Sequence, residues 1–206
     1  SAASDVYKRQ ELFLPSKKWN KEYIFARNQG TGYSDNIHQE KCMAANGMGG
    51  WSGLCPTQEL VDAYEMANGS TPIIGYNADG TPIINGASGY SETGFAATAG
   101  KHYPAGVYNM YVGREPRFYA SINFNGQQWR GRQLEFWQGG KDGINVSKVD
   151  YCCTGYLLRK TADEGVDVIN GKGGMKEASI LFRVGSLYLD YADCLLYTSP
   201  SPGDTR

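Results

Sequence analysis

The sequence predicts a mainly α-helical chain with long loops and short β-hairpins, on three observations. Segments 56–66 and 114–122 carry recognisable helix start signals, and 180–193 carries apolar residues at helical spacing. Glycine is 27 of 206 residues, roughly twice the usual share of about 7%, so turns are frequent. Asn125-Gly126 lies between two alternating runs, a hairpin signal. The length fits one domain, or one and a fraction.

Residues 22–26 (Glu-Tyr-Ile-Phe-Ala) are short, apolar and aromatic, and read as a strand. Residues 29–53 are polar and Gly-rich, ending in Asn46-Gly-Met-Gly-Gly-Trp-Ser-Gly53, and read as loop. In 56–66, Thr57 caps the helix, Glu59 and Asp62 complement its positive end, and Leu60, Val61 and Tyr64 form its apolar side. Asn68-Gly69 stops it. Residues 69–113 are a long irregular stretch punctuated by Thr71-Pro72, Asp79-Gly80 and Asn85-Gly86. Pro116 fits the first turn of the next helix. Residues 121–124 and 127–137 are the expected hairpin, 139–147 a loop, and 155–160 an extended piece. The last helix, 180–193, has no programmed stop. Residues 1–10 and 194–206 resemble translated sequencing-adaptor sequence, so the fold is expected within 11–193.

Charge and composition exclude several classes. Lys plus Arg is 20 and Asp plus Glu is 21, a net charge of −1 with no electrostatic footprint for nucleic acid. With 41% hydrophobic residues the chain has enough apolar surface to fold, and no apolar run approaches the roughly 18 residues of a membrane span. His38 and His102 are the two histidines, so a His-rich metal site is impossible and a His-based triad unsupported. Residues 94–101 mimic a phosphate-binding loop but have the wrong glycine spacing, and His102 follows the lysine in place of Ser or Thr. Residues 77–80 mimic part of a calcium loop but lack the closing Glu, and read as a turn. Ser52-Gly-Leu-Cys55 lacks the charged and apolar run of a lipidation signal. No C-x-x-C occurs, and Cys152 and Cys153 read as small apolar fillers. No cofactor or metal is expected.

Aromatic surface on Gly-rich loops remains. The 15 tyrosines outnumber the 7 Phe and 4 Trp combined. Sugar C–H faces stack on such rings, which also suit wet interfaces. The carbohydrate-binding candidates are Trp51, Tyr76, Tyr90, Tyr103, Tyr108 and Trp129.

Five segments in order resemble the SusD/RagB family of outer-membrane nutrient-binding lipoproteins of Bacteroidetes. They are 22–26, 56–64 with Asn68-Gly69, 114–122 with Asn125-Gly126, 154–160 (Thr-Gly-Tyr-Leu-Leu-Arg-Lys), and 180–193. Glu115 stands where the family has Asp before the proline, and Asp193 where it has Glu. The resemblance implies the C-terminal part of a longer protein. Its tetratricopeptide-like helical scaffold and lipidated cysteine would lie largely outside this chain. It implies non-catalytic capture of a glycan at the outer-membrane surface, and delivery to a SusC-like TonB-dependent transporter. The helices at 56–64 and 114–122, with Arg183, are implied to be scaffold. The alternatives are a peptide-binding member of the same family and a glycosidase using a carboxylate pair.

Overall fold

The computed structural model of the chain describes residues 21–28, 33–145, 147, 149–171 and 178–198. Strand β1 (Tyr23–Asn28) forms as its aromatic run predicts. It pairs antiparallel with β8 (Ala178–Arg183), with Tyr23 opposite Arg183 and Ala26 opposite Ile180. Residues 180–183 are therefore strand, and the last helix, α4 (Val184–Thr198), starts after them. Helical spacing of Ile180 and Val184 is real, but Ile180-Leu-Phe182 also suits a pleated surface, and the β1 partner decides.

Helix α1 (Tyr33–Met43) replaces the loop expected over 29–53. Its sequence lacks an apolar stripe, so local pattern gives no helix signal. Its C-terminal end holds it. Glu40 and Met43 are buried, and Glu40 accepts from Arg130 Nη2 at 3.1 Å. A short 3-10 turn (Asn46–Met48) follows.

Helix α2 (Gln58–Asp62) is shorter than the 56–66 pattern. Thr57 caps it, accepting from Leu60 N at 3.4 Å. The helix ends at Ala63, before the expected Asn68-Gly69 stop; Gly69 (φ 80°) instead closes a separate turn, donating to the Met66 carbonyl at 2.9 Å. Val61 is buried as expected; Leu60 faces solvent and Asp62 is buried instead. Within the irregular 69–113 stretch, β2 (Ile73–Tyr76) and β3 (Pro82–Ile84) form a hairpin. Asn77 and Asp79 hold its turn through Thr81. Helix α3 (Pro116–Ser121) has its proline at the first turn, as predicted.

The hairpin around Asn125-Gly126 is corrected. Gly126 does turn the chain (φ 83°), but β4 (Ile122–Asn123) pairs with β7 (Leu157–Leu158). The hairpin proper is β5 (Gln128–Trp129) against β6 (Arg132–Gln133). Its two turn residues, Arg130 (φ 47°) and Gly131 (φ 84°), both have positive φ, the type I′ requirement. Arg130 tolerates this because Glu40 and the Asp163 carbonyl hold its guanidinium.

Two main cores result. Phe118, Tyr119, Tyr111, Phe124 and Tyr156 form an aromatic one between α2 and α3. Trp129, Met43, Leu134, Leu157 and Cys152 form the second. Many apolar side chains of α4, including Leu187, Tyr188 and Tyr191, face solvent.

Candidate glycan-binding cleft

A cleft of about 570 Å³ opens beside α2. Helix α2 and its cap supply Thr57, Gln58, Glu59 and Asp62; the β2–β3 hairpin supplies Tyr76 and Gly80; the loop before β7 supplies Thr154. Three chain segments distant in sequence thus share one concavity.

A hydrogen-bond chain fixes its floor. The Tyr156 hydroxyl donates to Gln58 Oε1 (3.0 Å), and Gln58 Nε2 donates to Asp62 Oδ1 (2.7 Å). The Tyr76 hydroxyl donates to Asp62 Oδ2 (2.7 Å). That bond to a carboxylate pushes the Tyr76 phenol up to about 12, so it stays protonated and donating at neutral pH. Tyr76 keeps 48% of its surface exposed while its tip is pinned, which presents a flat apolar face at fixed orientation.

The six sequence-predicted aromatics separate. Tyr76 lines the cleft. Tyr90 is buried, donating to Glu92 Oε1 (2.9 Å) with the Arg114 guanidinium 5.2 Å from its ring. Burial first, then Glu92, raises its phenol well above the usual range. Tyr108 donates to the Glu92 carbonyl and is half-buried. Tyr103 stacks on Tyr119 at 6.3 Å. Trp51 is half-buried beside His38 (5.2 Å), with Lys41 Nζ 5.4 Å from its ring. Trp129 is 1% exposed and belongs to the core, correcting its place among ligand-facing residues; burial corrects Tyr90 likewise. Sequence reasoning missed Thr57, Gln58, Glu59, Asp62 and Thr154 as cleft residues. Their capping and helix-end roles absorbed the signal, and only the fold brings Thr154 to them. Among the described residues, no group of three or more His, Cys, Asp or Glu could hold a metal ion, and no helix is long and apolar enough to cross a membrane.

The model of the SusD family matches residues 16–203. The chain belongs to the SusD family. Solved structures give the same fold. BT4246 is 26% identical with a TM-score of 0.61, covering 93% of this chain and 32% of that one. The SusD-like protein BF3747 from Bacteroides fragilis is 27% identical with a TM-score of 0.58, covering 97% and 36%. The SusD-like carbohydrate binding protein BF0978 from Bacteroides fragilis is 21% identical with a TM-score of 0.57, covering 91% and 32%. This chain therefore spans about a third of the length of the SusD-like structures it matches. Among curated proteins none matches.

Proposed function

We propose that this chain carries part of the ligand surface of a cell-surface glycan-binding protein. That protein captures an oligosaccharide without cleaving it and passes it to a SusC-like TonB-dependent transporter. In the whole protein a lipid anchor holds it at the outer membrane. Family membership supports this reading, and the cleft carries it. Its volume falls within the roughly 300–1,000 Å³ of small-ligand sites. Tyr76 offers a stacking face; Thr57, Gln58, Glu59 and Thr154 offer hydroxyl, amide and carboxylate groups for sugar hydroxyls.

The same geometry gives Asp62 a positioning task. Its two oxygens accept from Gln58 and from Tyr76, so it anchors the Tyr76 ring at the cleft.

Isothermal titration against glycans selected on an array tests this. Tyr76→Ala is expected to weaken binding about 5- to 10-fold, the loss of roughly 1 kcal/mol of ring stacking, with circular dichroism unchanged. Among Trp51, Tyr103 and Tyr108, alanine at one or more should add a smaller loss. Unchanged affinity in all of these variants sinks the placement. Binding to a peptide library with none to glycans assigns the cleft to peptide capture instead.

A further inference from the structure

We infer that Cys55 and Cys152 form a disulfide that ties together the two walls of the cleft. Their sulfurs lie 3.8 Å apart, across 97 residues of sequence. A bond length of about 2.05 Å lies within a small side-chain adjustment of that spacing. The backbone already holds the two segments side by side, since Leu158 N donates to the Leu54 carbonyl at 3.0 Å. Both thiols point inward. Cys152 is buried in the Trp129 core and Cys55 packs against it. The adjacent Cys153 is exposed, with its sulfur 3.9 Å from the Tyr151 carbonyl oxygen. The pair that the fold assembles is therefore 55–152, not the vicinal 152–153.

The surroundings assign the roles. With Cys152 beside it, the Cys55 thiol is held below its ordinary range, whereas the neighbouring Cys55 and then burial push the Cys152 thiol up. Cys55 is also the more accessible of the two. A low-molecular-weight disulfide such as oxidised glutathione is the oxidant. The Cys55 thiolate attacks one of its sulfurs, forming a mixed disulfide and releasing one thiol. Cys152 then loses its proton and attacks the Cys55 sulfur, releasing the second thiol. Two electrons pass from the pair to the oxidant, and both protons end on the released thiols.

Position gives the bond a consequence. Cys55 precedes Thr57 and Gln58 by two and three residues, and Cys152 precedes Thr154 by two, so the bridge sets the distance between the α2 wall and the β7-loop wall. This consequence rests on the glycan reading of the cleft; the bond itself does not.

The test is peptide mapping of the full chain. The protein is equilibrated in glutathione buffers from reducing to oxidising, alkylated with iodoacetamide in denaturant, and digested without reduction. The expected product is one cross-linked peptide pair containing Cys55 and Cys152, lighter by two hydrogens, with Cys42 and Cys153 alkylated. Cys153→Ser should leave its yield unchanged, and Cys152→Ser should abolish it. Full alkylation of Cys55 and Cys152 at the oxidising end, in protein with native circular dichroism, overturns the inference. So does a bridge between Cys152 and Cys153. Glycan titration of the same oxidised sample separates the two readings. A bridge without glycan binding removes the cleft assignment alone, and glycan binding without a bridge removes the disulfide alone.

Discussion

Arg114→Ala is expected to destabilise the chain by about 4 kcal/mol or more, and to take ligand binding with it. Arg114 is 1% exposed, and among the described residues it forms no ion pair. Its guanidinium donates to three carbonyls: Val61 (2.6 Å), Tyr64 (2.7 Å) and Met110 (3.2 Å). Two of these close the C-terminal end of α2, where a cation also complements the helix dipole. The flat cation lies 5.2 Å from the Tyr90 ring and 5.1 Å from Phe118. Burial lowers its pKa, but a guanidinium keeps its charge in any protein environment. Alanine takes the side-chain donor from the Tyr64 and Met110 carbonyls, each worth about 1–3 kcal/mol unsatisfied, while the Val61 carbonyl keeps its bond from Tyr64 N at 3.4 Å; the two ring contacts of the cation are lost as well. Against a typical stability of about 5–15 kcal/mol, the variant sits near the edge of folding. Because α2 presents Gln58 and Asp62 to the cleft, loss of its end displaces the binding surface. Arg114→Lys keeps the charge but not the planar fork, and is expected to recover less than half the loss. Urea denaturation followed by circular dichroism reads both variants. A midpoint for Arg114→Ala matching a loss under about 1 kcal/mol contradicts the account.

Elements whose causes lie within a few residues were legible in the sequence. Thr57 caps α2 and Pro116 opens α3, through local backbone chemistry. Elements whose causes lie far away were not. Helix α1 depends on Arg130, 90 residues later, and the strand character of 180–183 depends on β1, more than 150 residues earlier. The β5–β6 turn uses Arg130-Gly131, where positive φ at arginine is sustained by Glu40 and Asp163 rather than by residue type. The cleft divides the same way. Tyr76 was legible because an aromatic on a loop signals on its own. Asp62 was read as a charge complementing a helix end, and its role in fixing Tyr76 exists only once the hairpin folds over α2. The family resemblance reached further than either, because five weak segments in order carry more information than any one.

Trp129→Ala is expected to lose about 3–5 kcal/mol of stability, the range for removing a large buried ring. Two guanidinium groups lie against the indole, Arg159 at 4.8 Å and Arg130 at 5.8 Å from its ring. Each is tied elsewhere: Arg159 Nη1 to the Tyr119 carbonyl (2.9 Å), and Arg130 to buried Glu40 and the Asp163 carbonyl. The ring is therefore packed against two cations that their own partners hold in place. Alanine leaves a cavity lined by Met43, Leu134 and Leu157 and by two guanidinium groups whose other bonds hold them back from filling it. The expected loss lies toward the upper end for that reason. Trp129→Phe keeps an aromatic face, though a smaller and weaker one for cations, and is expected to lose about 1–2 kcal/mol. Trp51→Ala is the matched comparison, since that indole is half-buried beside His38 and Lys41, and should stay within about 1 kcal/mol of the parent. Thermal and urea denaturation rank the three variants, and glycan titration is run on each that folds. A Trp129→Ala protein that keeps its unfolding midpoint but no longer binds glycan would put the indole on the ligand surface and refute its place in the core. The expected order is the reverse: stability falls steeply at Trp129 and hardly at all at Trp51, because two fixed cations and an apolar shell surround the first ring, whereas the second borders solvent.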